Sequence, residues 1–145
     1  MEVRKWHKQL KRKTNNEKDI KFTKAFSSFS VNDLPKAKEF YNKTLGLKVS
    51  TEEEGFAIKI GGSDILLYPK DDHKAATFTV LNFPVQNIDE AVEELKGRGI
   101  RFEEFQGEMK TDEKGIYRGK ERGHGPNIAW FKDPAGNFLS VLEEK

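Results

Sequence analysis

Cysteine is missing from all 145 residues. Disulfides, thiol nucleophiles and thiolate metal sites are therefore excluded. Histidine is scarce. His7, His73 and His124 are the only three, and no two of them lie at i, i+2 or i, i+4, so no local imidazole pair can seed a metal site. No run approaches the roughly 18 apolar residues of a membrane span. The N-terminus lacks the apolar core of a secretory signal, and its acidic residues and lack of serine fit an organellar transit peptide poorly, so a cytoplasmic location is expected by default. No Ser/His/Asp order, phosphate loop or nucleotide fingerprint appears. GIYRG (115–119) and GHG (123–125) contain glycine but lack the strand–turn–helix setting that those motifs need.

What is present is a chain that is 35% apolar and 34% charged, which predicts a soluble protein with a modest core. The length suits one domain, or two small halves sharing a core. Net charge is +2 but uneven: residues 1–22 hold eight Lys/Arg and three Asp/Glu, giving +5, and the rest carries −3. Residues 1–22 read either as a basic arm for an anionic partner or as a solvated extension. Only Trp6 and Leu10, four residues apart, give that segment an apolar face to dock. The acidic balance of the remainder argues against a broad phosphate-binding surface, so no nucleic-acid partner is expected.

The strongest pattern is FSSFSVNDLPKAKEFYNKTLGLKV (26–49). Phe26 to Val31 reads as a strand. Asp33 suits an N-cap and Pro35 the first helical turn. Leu34, Ala37, Phe40, Tyr41 and Leu45 then mark one helical face, and Gly46 the stop. The pattern returns in residues 78–102, FTVLNFPVQNIDEAVEELKGRGIRF. Val31, Asp33, Leu34 and Ala37 recur 54 positions on as Val85, Asn87, Ile88 and Ala91. After a helix one residue shorter, Gly46 and Leu47 match Gly99 and Ile100. Repetition of strand, cap, helix and stop in order predicts an internal duplication.

Strands are expected at Lys48–Thr51, Phe56–Ile60 and Ile65–Tyr68, with Gly61-Gly62 as a hairpin turn. After a polar link, 71–76, the second unit has strands at Phe78–Val85, near Ile100–Phe105, at Asn127–Lys132 and at Phe138–Leu142. The long polar stretch from Gln106 to Pro126 has no pattern of its own, and such a connection often covers a binding site.

The two echoing stretches and the ending IAWFKDPAGNFLSVLEE together resemble the vicinal oxygen chelate superfamily, the group of glyoxalase I, bleomycin-resistance proteins and extradiol dioxygenases. The resemblance covers about residues 23–145. It implies an α+β fold of two βαβββ modules, about 23–70 and 77–145, whose curved mixed sheets enclose a cavity, and a homodimer. In metal-dependent members four side chains bind a divalent ion. Those positions fall here on Phe26, Leu66, Val80 and Ser140. Phe, Leu and Val cannot ligate a divalent ion and Ser is a poor ligand, so no metal and no other cofactor is expected.

With that register, alternation puts Phe26 and Ser28 on one face of the first strand, Leu66 and Tyr68 together, Val80 and Asn82 together, and Ser140 near Trp130. These side chains either line a small-molecule cavity or simply fill the core. Tyr117 and Arg118, in the long loop, are placed at the cavity mouth, where Arg118 would suit a ligand carboxylate or phosphate. The expected function is a metal-free protein that binds a small organic ligand. The alternative is an enzyme of lyase, isomerase or dioxygenase type with a non-standard site, with Tyr68, Tyr117 or Glu108 as acid or base.

Overall fold

The computed structural model of the chain describes residues 19–144. The first eighteen residues, with Trp6, His7 and Leu10, lie outside the described residues, as does Lys145.

Strand β1 (Ser27–Val31) leads through Asn32 and Asp33 into helix α1 (Leu34–Glu39), which continues as a π-helical turn over Phe40–Thr44. The Asp33 carboxylate accepts from the Lys36 N–H at 3.1 Å, which is the expected cap. The extra residue of this helix relative to its echo is absorbed in the π turn, where the Leu45 N–H donates to the carbonyl of Phe40, five residues back, at 2.9 Å. Strands β2 (Lys48–Glu52), β3 (Gly55–Ile60) and β4 (Ser63–Pro69) complete the first module. Its sheet has the order β1-β4-β3-β2, with β1 parallel to β4 and the other pairs antiparallel.

The second module repeats this plan. Strand β5 (Thr79–Val85) leads into α2 (Ile88–Gly97), capped by the Asn87 side chain, which accepts from the Glu90 N–H at 3.1 Å. Strands β6 (Tyr117–Arg118), β7 (Asn127–Lys132) and β8 (Phe138–Glu143) follow, in the sheet order β5-β8-β7-β6. Again the first strand is parallel to the last. The architecture is α+β, two four-stranded mixed sheets without a closed barrel, as the duplication predicts.

One expected strand is corrected. Residues 100–105 form a single bridge, Phe102 to Phe131, instead of a strand. The reason is local. The Thr111 Oγ1 accepts from the Phe105 N–H at 3.0 Å, and the Thr111 N–H donates to the Phe105 carbonyl at 3.1 Å, so the chain turns away from β7. The vacated edge of β7 is taken by β6, which pairs with Asn127 and Ile128. The stretch from Gln106 to Pro126 is correspondingly more structured than its composition suggests. It contains a 3-10 turn (Gly107–Met109), β6 and a short helix α3 (Gly119–Arg122), and it buries Ile116 completely.

A single hydrophobic cluster spans both modules. Val31, Ala37, Tyr41, Phe56, Ile58 and Leu67 contribute from the first, and Ile88, Val92, Phe131, Leu139 and Val141 from the second. A buried polar network ties the modules across this core. The Tyr41 hydroxyl donates to Asp133 at 2.7 Å, and Asn137 Nδ2 donates both to Asp133 at 3.1 Å and to the Ser30 carbonyl at 2.9 Å. The link residue His73 joins the same seam. Its Nε2 lies 3.0 Å from the Ala135 carbonyl, which can only accept, so Nε2 carries the hydrogen. Nδ1 then accepts from the Ser30 hydroxyl at 2.7 Å.

Candidate site on the aromatic face of the second sheet

Strand alternation sends Ala129, Phe131, Leu139 and Val141 toward α2 and the core, and their neighbours Trp130 and Ser140 to the opposite face. Trp130 and Ser140 are direct partners in the β7–β8 ladder. On this face Trp130 is clamped by two rings. Phe105 meets it edge-on at 5.4 Å between centroids, and Tyr117 lies tilted at 6.5 Å. The Trp130 Nε1–H donates to the Thr79 hydroxyl at 3.2 Å, which fixes the indole against β5. Next to it the Ser140 hydroxyl donates to Asn82 Oδ1 at 2.6 Å. Ser140 is fully buried and Asn82 is exposed, so the amide presents the outer end of this pair to solvent.

A cleft of about 650 Å³ opens beside Tyr117, lined also by Glu108, Met109, Arg122 and His124. The Arg122 guanidinium sits 5.2 Å from the centre of the Tyr117 ring, and its Nη1 donates to the Glu108 carbonyl at 3.0 Å. The face therefore joins an aromatic wall, two hydroxyl or amide points and a cation held above a ring.

The ten residues singled out from the sequence fall into separate groups. Asn82, Tyr117, Trp130 and Ser140 come together on this face. Ser28, Leu66 and Tyr68 share a face of the first sheet, since Ser28 pairs with Leu66 and Ser30 with Tyr68. Phe26 precedes β1 and is 62% exposed. Val80 occupies a bulge between Thr79 and Leu81 and packs against the hydrophobic cluster. Arg118 pairs with Asn127, placing it on the side of α2. Its guanidinium meets Asp89 at 2.7 Å and Asp112 at 2.9 Å. The hydrogen bonds from Arg118, and then from Lys114, hold the Asp89 carboxyl well below the usual carboxylate range, and Asp89 in turn raises Arg118. Burial raises Asp112, but the Ile116 N–H, Arg118 and the Lys114 N–H together outweigh it and lower that group.

Thr79, Phe105 and Arg122 escaped the sequence reading. Strict alternation would have put Thr79 on the face opposite Asn82, and the bulge at Val80 brings it round to the face of Trp130, while Phe105 lies where a continuous strand was expected. Arg122 carried only the signal of a charged loop residue.

Of the four positions expected to match metal ligands, Phe26, Leu66 and Val80 carry no donor atom and Ser140 offers only a hydroxyl, a set that does not fit a divalent ion. Among the described residues no three His, Asp or Glu side chains cluster in a way that could hold one. No described helix is long and apolar enough to cross a membrane.

The fold is shared with solved structures. The fosfomycin resistance protein FosX of Listeria monocytogenes is similar over 87% of this chain and 96% of its own, with a TM-score of 0.61 and 16% identity. A glyoxalase family protein of Enterococcus faecalis gives a TM-score of 0.61 at 22% identity, over 84% of this chain and 98% of its own. The lactoylglutathione lyase of Agrobacterium tumefaciens gives 0.57 at 22% identity, over 86% and 96%. No curated protein sequence matches significantly. Residues 25–141 match the family description Glyoxalase/Bleomycin resistance protein/Dioxygenase superfamily. That match takes in the first module and nearly all of the second, and the chain belongs to this superfamily.

Proposed function

We propose that the chain binds a small organic ligand with a flat, apolar portion, without a metal ion, on the aromatic face of the second sheet. The observation that carries this reading is Trp130, held in one orientation by Phe105, Tyr117 and Thr79 beside the Asn82–Ser140 pair. A fixed aromatic surface with one or two polar points is what a flat ligand needs for stacking and orientation. The unsuitable donor set at the four ligand positions supports the metal-free part. The ten sequence-singled residues enter this proposal unequally: Asn82, Tyr117 and Trp130 form the binding surface, and the buried Ser140 orients Asn82 from behind. Phe26, Ser28, Leu66, Tyr68 and Val80 belong to its surroundings, and Arg118 acts as a brace to α2.

Binding is read from Trp130 fluorescence in a Trp6→Phe chain titrated with flat aromatic acids and phenols. Saturable quenching that Trp130→Ala or Ser140→Ala weakens supports the reading. Indifference of every binding ligand to both substitutions would exclude this face.

A homodimer is part of the same proposal. Phe26 and Phe78 stand 62% and 69% exposed just ahead of β1 and β5, each an edge strand of its sheet. Large apolar groups at open edges favour covering by another chain. Catalysis is the second reading, and the cleft beside Tyr117 favours it, since Glu108 and His124 could carry protons there. Turnover without added metal that Glu108→Gln abolishes would promote it.

A further inference from the structure

The first sheet carries a second cluster, which the aromatic face of the second sheet does not use. Phe29 and Val31 of β1 pack into the core, so Ser28 and Ser30 take the other face, beside Leu66 and Tyr68 of β4. There the Ser30 hydroxyl lies 2.7 Å from His73 Nδ1, and His73 Nε2 lies 3.0 Å from the Ala135 carbonyl. The carbonyl only accepts, so the ring hydrogen is on Nε2 and the lone pair of Nδ1 faces the serine. A hydroxyl, an imidazole that accepts its proton and a third group that orients the imidazole are the parts of an activated serine. Here the third part is a main-chain oxygen, which leaves no trace in the order of residues.

We propose that Ser30 and His73 act as nucleophile and general base toward small, uncharged carboxylic esters. Both partners are held in place by their surroundings. Asn137 Nδ2 donates to the Ser30 carbonyl at 2.9 Å, and the Lys70 N–H donates to the Val31 carbonyl at 3.0 Å. The His73 N–H in turn donates to the Lys70 carbonyl at 3.0 Å. Such fixing of the reacting pair is what proximity requires. Ser30 and His73 are half-buried, not sealed in the core, and so are Leu66 and Tyr68. Leu66 offers an apolar surface for a short acyl group, and Tyr68, the ladder partner of Ser30, a hydroxyl for the oxygen on which charge develops.

In the first step Ser30 Oγ bonds to the ester carbon while its proton passes to His73 Nδ1. The ester C–O bond then breaks, and Nδ1 returns that proton to the departing oxygen, releasing the alcohol. In the second step a water bonds to the acyl carbon and gives its proton to Nδ1. The bond to Ser30 breaks, Oγ takes the proton back, and the carboxylic acid leaves.

The test incubates the full chain with a fluorophosphonate, which forms a stable Oγ–phosphorus bond as fluoride leaves, and maps the adduct by peptide mass spectrometry. Hydrolysis of p-nitrophenyl acetate is followed in parallel. The expected result is an adduct on Ser30 and none on Ser28, which is exposed on the same face and has no imidazole partner among the described residues. Ser30→Ala should abolish both reactions, and His73→Gln should slow both by about 100-fold, the loss of a general base. Circular dichroism checks that each variant folds, and the comparison of Ser30 with Ser28 in the unaltered chain stands if one does not. No adduct on Ser30, equal adducts on Ser28 and Ser30, or a rate indifferent to His73→Gln in a folded variant would overturn the proposal.

Discussion

Four donors converge on the Asp133 carboxylate: the Tyr41 hydroxyl, the Ala135 and Asn137 N–H groups and the Asn137 amide. The turn DPAGN thus anchors one module to the helix of the other. Burial, and then the charge of Asp133, push the Tyr41 hydroxyl far above its ordinary value, so it remains a donor at any working pH. Tyr41→Phe removes that donor from a buried carboxylate. A loss of about 1–3 kcal/mol is expected in urea denaturation, with fold retained. On the aromatic face, Ser140→Ala leaves Asn82 without its partner. Because Asn82 is exposed and water can replace the hydroxyl, stability should fall by no more than about 1 kcal/mol, and any larger effect should appear in ligand affinity.

At the scale of elements, the two helices show how much was legible. Caps, stops and apolar faces are set by residues close in sequence, so Asp33, Asn87 and the echo at 54 residues announced both modules. Asp33→Ala and Asn87→Ala should each cost about 1 kcal/mol in thermal denaturation. What stayed hidden depends on contacts distant in sequence or on small irregularities. Thr111 captures both polar groups of Phe105 and ends a strand that alternation alone would have extended. The bulge at Val80 moves Thr79 to the face of Trp130.

The loop of Gln106 to Pro126 looked featureless because its order comes from polar contacts. Asp112 accepts from the Lys114 and Ile116 N–H groups at 2.9 Å, and Gly119 lies against the Gly125 and Pro126 carbonyls with no room for a Cβ. Gly119→Ala should therefore displace the backbone that carries Tyr117 and Arg122. Because Gly119 does not have a positive φ, its stability loss reports that close approach alone.

For the whole molecule, carboxylates hold the second module's rim together. Asp89, Asp112 and Glu143 are all lowered, Asp89 by Arg118 first and Glu143 by the Ile88 N–H and then Lys120. A carboxyl lowered by folding contributes stability that is complete above its unfolded value, about 4 for these groups, and is lost as pH falls through the folded value. Denaturation midpoints should stay level from neutrality to about pH 5 and fall below about pH 4. Asp89→Asn should make that acid limb shallower, while a limb unchanged by the substitution would contradict the role given to the Arg118 pair.

The superfamily fold was legible because it is built twice from local signals. The shared face of Asn82, Trp130 and Ser140 was legible because strand register survives there. Arg118 and Val80 depart from the expected face because an ion pair and a bulge, neither visible in a linear pattern, decide their placement.

The most direct test of the central claim, a metal-free ligand site on this inherited fold, is native mass spectrometry of untagged protein purified without chelator. The account predicts a dimer with no bound metal, and an added organic mass that Trp130→Ala removes. One divalent ion per chain, persisting after dialysis, would contradict it.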